Sequence, residues 1–439
     1  QLNSQFINWT GGALTILDPH ANTTASNTLA FNNSTAHVNV PNTHTLKLGD
    51  GVSTDAGGNA TNGFRLSTFV GSRRISFGNL EVNTTGGTNR QVTTASNIGF
   101  NGNVTIEPSS EVVFGTSYVA GNIVNNGTFT STAVLGLASY TDGTVSATTN
   151  AQTIGGSGVY RNLAAAPTAN LTSLTVNNTN ATGVTLSVPL SVSGTLTMTS
   201  GIINTTTTNL LTLGTATAAG ILAGTPSATN MVRGPFARTI ANANANTNYL
   251  LFPVGKTTYA PIWAAPATTA VSVMKAETFD TNTGTQSAAI ANMATNRRWE
   301  LPLVSGTITN INVRLGDAGV LATSIPVQAP SASGEYTSTF GSVATAVAGV
   351  STQSNTPVLS ASYTGFLSYA DSNACVGVPT PGNTIASSNA ICLGTSVTLS
   401  LQNLTTGSGV TYQWFSSPDG VTYSPIASAT NPTYSTNPA

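Results

Sequence analysis

Residues 193–199 read Ser193-Gly194-Thr195-Leu196-Thr197-Met198-Thr199, and just before them stands Val184-Thr185-Leu186-Ser187-Val188. Apolar side chains fall at every second position with small polar residues between them, the period of a strand with one face buried and one face wet. The phrase returns along the chain. Asn101-Gly102-Asn103-Val104-Thr105-Ile106 repeats the pattern of 193–198, and 120–127 is a third variant. Asn79-Leu80-Glu81-Val82-Asn83-Thr84-Thr85 likewise matches 173–179.

Degenerate strand repeats at spacings of about 20 residues, or multiples of it, predict a β-solenoid. One coil of short strands cannot cover its own apolar face, whereas a stack of coils can, and corner asparagines can then ladder from coil to coil. About 220 residues correspond to on the order of eleven coils and, at about 4.8 Å per coil, to a rod near 50 Å long. Leu80, Val82, Val104, Ile106, Leu174, Val176, Leu196 and Met198 are the expected inward residues. A β-sandwich of the same short strands is the competing arrangement.

Composition narrows the function classes. Of 439 residues, 6% are charged and 39% hydrophobic. The charged share is far below the usual quarter or so, so hydroxyls and amides must solubilise the surface, while the apolar share suffices for a core that a disordered chain would lack. A net charge of −1 leaves no electrostatic footprint for nucleic acid or an anionic membrane. No apolar run approaches the roughly 18 residues that span a bilayer, so membrane insertion is not expected. Helical periodicity is confined to Gln286-Ser287-Ala288-Ala289-Ile290-Ala291-Asn292-Met293, which predicts one short helix. Gln1 in place of Met is what signal peptidase leaves, and an excised fragment would look the same.

Near residue 225 the texture changes. Aromatic and charged residues gather in 231–238, 249–256 and 296–301, followed by the alternating run Thr307–Leu315, as in a compact sandwich with individual strands. A Pro/Gly/Asn/Ser linker follows Cys375. Beyond it, 396–401 and 410–415 alternate, and Pro418-Asp419-Gly420 signals a hairpin turn. Cys392 and Trp414 have the spacing of the first half of an immunoglobulin-like pattern, and its second half does not follow before Ala439. Either a longer polypeptide continues the sheet or another chain supplies the missing strands. The expected fold is all-β: a parallel β-helix-like solenoid over 1–225, a β-sandwich over 226–372, and a linker with an incomplete immunoglobulin-like module over 373–439.

The phrases at 193–214 ("SGTLTMTSGIINTTTTNLLTLG"), 232–240 ("VRGPFARTI"), 249–262 ("YLLFPVGKTTYAPI"), 296–301 ("NRRWEL") and 375–430 carry a family likeness. Over about residues 160–439 the chain resembles the large modular surface proteins that Bacteroidota export by type IX secretion. The N-terminal third shares only the texture. The resemblance implies β-helical and immunoglobulin-like modules in a secreted adhesin or coat component. It brings no shared catalytic motif, and the C-terminal sorting domain of such proteins does not occur in this sequence.

An enzyme on a β-helix is the rival reading and would need clustered carboxylates on one solenoid face. The acidic residues before 225 are Asp18, Asp50, Asp55, Glu81, Glu107, Glu111 and Asp142, of which Glu81 and Glu107 could project from neighbouring coils. Isolated solvated carboxylates are the bland alternative. His20, His37 and His44 are the only histidines, and with Asp18 they match no zinc spacing, so neither metal nor cofactor is expected. No histidine follows position 44 to act as a base for a serine or cysteine nucleophile. Gly155-Gly156-Ser157-Gly158 lacks the lysine and helix of a phosphate loop and reads as a turn.

Arg73-Arg74 and Arg297-Arg298 could grip an acidic glycan, but pairing with nearby Glu81 or Glu300 is the simpler expectation. Aromatics set among Asn and Thr are candidates for stacking on a sugar. Asn-x-Ser/Thr triplets, as at Asn8 and Asn22, are what this composition gives by chance. Cys375 and Cys392 are expected either to pair with each other or to find partners further along. The sum is an extracellular structural or adhesive component that self-associates or engages glycans.

Overall fold

A computed structural model describes residues 11–17, 29–32, 38–52, 64–69, 75–84, 91–94, 97–162, 170–341, 345–346, 351–354, 356–372, 380–390, 392, 394–404 and 411–436. Its first part is a parallel solenoid with three faces. The first face is a sheet of ten parallel strands running from Gly12–Ile16 to Val254–Gly255. The third face stacks eight strands, Val38–Asn39 to Ile221–Gly224. The second face is split between a six-stranded sheet ending at Val159–Asn162 and a second sheet that begins at Asn170–Leu171.

The alternation read from sequence is the one that folds. All eight expected inward residues are at most 1% exposed. They stack in columns, as in Leu46, Leu80, Val104, Ile123 and Ile154, because parallel register places each above its equivalent one coil below. Inside, rings also stack: Phe77, Phe100, Phe114, Phe129 and Tyr160 follow one another with centroids 5.2–6.0 Å apart. Corner asparagines form the ladder that composition suggested. Asn79 Oδ1 accepts the Asn103 N–H, Asn103 Oδ1 the Asn122 N–H and Asn122 Oδ1 the Thr153 N–H, each at 2.8 Å.

The coils are less uniform than expected. Facing residues are separated by as few as 17 positions (Glu111 and Thr128) and as many as 39 (Leu135 and Leu174). Variable corner loops and an inserted hairpin, Ser139–Thr141 with Thr144–Ser146, account for the spread, so ten first-face strands replace the eleven coils expected. The hairpin lies on the third face: Tyr140 packs over Gly99 and stacks on Tyr118 at 5.0 Å. The 155–158 glycines do form a turn, and Gly156, at φ 106°, passes so close to the Asn125 backbone that no side chain fits.

Parallel stacking also runs past residue 225, so the change of texture there is compositional and does not end the ladder. The inward column Leu171, Val192, Leu213 is interrupted by Arg238, 8% exposed, whose guanidinium donates to the Leu251 carbonyl at 2.8 Å. Burial lowers its pKa to about 10. Its antiparallel partner, Met274, is again fully buried in the apolar core. The next strand to pair there, Ser272–Phe279, runs antiparallel and opens the sandwich.

That sandwich has two antiparallel layers. One contains Phe236–Ile240, Ser272–Phe279, Arg298–Glu300, Phe366–Ser372 and Ser324–Ala329; the other contains Leu250–Phe252, Ile262–Thr268, Ile308–Gly316 and Ser351–Gln353. One apolar cluster runs without a break from Leu46 in the solenoid to Tyr369 in the sandwich. The helix expected at 286–293 is absent. Thr285–Gln286 and Ile290–Ala291 are strands instead, because Ile290 gains both an antiparallel partner, Ser372, and a buried site beside Ile325 and Val327.

The terminal module holds a three-stranded antiparallel sheet, Thr384–Ala386, Val397–Leu401 and Tyr434–Thr436. Beside it, the hairpin Phe415–Ser416 with Ser424–Pro425 surrounds the expected turn at Asp419. Of the strand expected over 410–415, Phe415 alone pairs, and Val410 lies outside the described residues. Trp414 anchors the module, 9% exposed, with its indole N–H on the Asn431 carbonyl at 2.9 Å.

Two substitutions test this architecture. Leu196→Asp buries an unpaired charge between coils and should abolish cooperative melting of its neighbours, and an unchanged melting curve would refute the inward register. Asn103→Ala strands the Asn122 N–H and should cost about 1 kcal/mol in urea unfolding.

Candidate functional site

The outer surface of the second sandwich layer carries three cross-strand rows. Pro261, Gly316 and Ser351 form one row, Trp263, Arg314 and Gln353 the next, and Ala265 with Asn312 the third. Gly316 decides the relief of this surface. A Cβ there would lie 3.0 Å from Pro261 Cγ and 3.1 Å from Trp263 Cζ3, so the missing side chain lets the indole and the pyrrolidine come close over the strand. The result is a depression with an apolar floor.

Its walls come from three other segments. The loop after the last third-face strand brings Pro226, Ser227 and Ala228; the turn after Val254–Gly255 brings Thr258 and Tyr259; and Asp317 and Ala318 follow Gly316. The cleft has a volume of about 490 Å³ and lies where solenoid and sandwich meet. Asn230 pins the first wall, donating to the Met198 carbonyl at 2.8 Å, and Ser227 exchanges backbone hydrogen bonds with Asn230. Burial raises the Tyr259 phenol to about 12, so it stays protonated as a donor.

Charge under and beside the cleft is internally matched. Arg297, 5% exposed, pairs with Asp317 through Nε and with Asp280 through Nη1, and it donates to Thr258 Oγ1 at 2.7 Å. Burial disfavours the Asp280 carboxylate, but hydrogen bonds from Thr257 and the charge of Arg297 outweigh it and hold its pKa below the ordinary 3.8. Arg314 lies over Tyr249 (4.8 Å) and Trp263 (5.6 Å), and it donates twice to Gln353 Oε1 at 3.0 and 2.7 Å. The cation-π contacts and the fork fix its plane.

The residues singled out from sequence are placed elsewhere. Glu81 faces Thr105, so Glu81 and Glu107 do project outward from neighbouring coils, two positions apart along the strand. The Glu81 carboxylate takes Lys47 Nζ at 2.7 Å rather than facing Glu107 alone. Glu111 lies on the next face, ion-paired with Arg161 and accepting the Thr130 hydroxyl at 3.2 Å. Asp142 accepts from Asn39 at 2.7 Å, and Asp50 accepts the Val52 N–H. His44 is buried at the start of its strand, which lowers its pKa.

Arg298 pairs with Glu300 as expected, whereas Arg297 takes Asp280 and Asp317. Asp18, His20, His37, Asp55, Arg73, Arg74 and the triplets at Asn8 and Asn22 lie outside the described residues. Cys375 does too, so its pairing with Cys392, which is exposed, is not part of the described structure. Among the described residues no group of three or more His, Cys, Asp or Glu side chains could hold a metal.

Residues 381–439 match a domain of unknown function, DUF8696, which coincides with the terminal module. No curated protein and no solved structure matches the chain.

The Arg297 network makes a pH-dependent contribution. The folded-state pKa of Asp280 is depressed, so the stability it adds is present above about pH 3.8 and is lost as pH falls through the folded value. Asp280→Asn should flatten the acid limb of the melting midpoint against pH. Arg297→Ala leaves a buried Asp317 unpaired and should cost about 3–5 kcal/mol in denaturant unfolding.

Proposed function

We propose that the chain is a non-catalytic structural and adhesive component of an extracellular surface, of the kind the type IX-secreted Bacteroidota proteins exemplify. The observation that carries this reading is the continuous apolar core from the first coils into the sandwich, which makes the rod and its distal domain mechanically one body. A charge-poor, hydroxyl- and amide-rich exterior suits a protein that must stand in contact with a surface rather than turn over a substrate. Two of the described solenoid carboxylates, Glu81 and Glu111, are held by Lys47 and Arg161, which supports the same reading. Exposed Ile385, Phe415, Val421 and Tyr423 on the terminal module fit a role in assembly with a further sheet, including a second copy in a filament.

Beads coated with the purified chain are expected to be retained on immobilised cell-envelope material, with no new reducing ends released from a broad polysaccharide panel. Turnover that disappears in Glu81→Gln or Glu107→Gln would overturn the non-catalytic reading, and beads that wash off would overturn the adhesive one.

A further inference from the structure

We propose that the cleft at the solenoid–sandwich junction binds a neutral polysaccharide segment, with a pyranose ring seated on Trp263 and Tyr259. This deepens the adhesive reading and rests on it. Three features of the cleft select this chemistry.

The first is shape. Pro261 and Trp263, which approach Gly316 closely, contribute apolar and aromatic surface to the floor, and Tyr259 adds a second ring at the wall. A pyranose presents a matching face of C–H groups with hydroxyls around its edge. Amphipathic rings suit such partners because one side of the contact is apolar and the other wet. The volume of about 490 Å³ lies within the roughly 300–1,000 Å³ of small-ligand sites and takes a short stretch of sugar chain.

The second is charge. Asp280 and Asp317 share Arg297, and the second positive charge that makes the count even, Arg314, is spread over two rings and a glutamine oxygen. Lys256 with Glu277 and Arg298 with Glu300 are likewise matched pairs. The site therefore sets no strong demand for an anionic or cationic ligand, which disfavours uronates and phosphates.

The third separates sugar from peptide. An extended peptide needs free main-chain donors and acceptors on the groove. Here the wall backbone is already used: Gly316 N–H on Pro261, Ser227 and Asn230 on each other, Ala260 on Val254, and Lys256 on Thr258. Ser227 and Thr258 line the cleft instead, and the Thr258 hydroxyl, which accepts from Arg297, keeps its own hydrogen to donate to a sugar oxygen.

Affinity electrophoresis of the full chain through gels containing soluble β-glucan, xylan, mannan or galactan, together with titration by chitin oligomers, tests the assignment. At least one neutral saccharide should retard the chain and change its tryptophan fluorescence, and Trp263→Ala should weaken binding at least tenfold. Gly316→Val, which fills the floor, should do the same, and Tyr259→Leu provides a milder variant should either of these fail to fold. Each variant is compared at a wild-type melting midpoint. Retardation that persists in a folded Trp263→Ala chain would overturn the site, as would binding of a proline-rich peptide with no response to any saccharide. If no saccharide binds while coated beads still hold to cell-envelope material, the cleft assignment fails and the adhesive function stands. If the beads also wash off, both fail.

Discussion

Everything in this molecule depends on one constraint: a coil of two- to six-residue strands has too little apolar surface to fold alone. Burial is completed only when the coil above supplies the other half of each column, as Val104 does for Leu80 and Ile123 for Val104. Parallel hydrogen bonding fixes the register, and register keeps Leu, Val, Ile and Phe over one another. The asparagine ladder serves the same end at the corners, where the backbone turns away from the sheet and its N–H groups would otherwise lack partners.

The stack ends without interrupting that burial. The apolar column through Leu213 meets Arg238, whose guanidinium reaches the Leu251 carbonyl, and the next layer, with Met274 and Ala276 buried, is laid antiparallel. The chain answers by reversing direction and using the last solenoid strands as the first strand of a sandwich layer. The junction is thus a shared sheet and not a flexible tether. The cleft forms where loops of the last coils come together with the outer face of the second layer.

Period-two alternation made the solenoid legible, because inward and outward positions differ in kind at nearly every strand. Corner asparagines were legible for a related reason: they recur beside the same Gly. The helix expected at 286–293 failed because a short Ala-rich run has weak intrinsic preference, and pairing of Ile290 with Ser372 outweighs it. Coil lengths were not legible, since a corner loop leaves no periodic trace. The cleft escaped sequence reading as well. Its parts, Ser227, Tyr259, Trp263 and Gly316, come from four segments, and the decisive one is a glycine whose meaning is the absence of a side chain beneath an indole. The alternating run to Leu315 pointed at the strand but not at the surface it would carry.

Coil offsets that range from 17 to 39 positions, on strands that keep their parallel partners along the first and third faces, have an evolutionary reading. Stacking fixes only the few residues in the faces, so the corners are free to accept inserted sequence without disturbing the layers above and below. The hairpin at 139–146 is such a graft: it enters at a corner and is accommodated by Gly99 and Gly136, small residues that leave room for Tyr140 and Tyr118. A lineage can therefore change what the rod displays, loop by loop, while the scaffold that displays it stays constant.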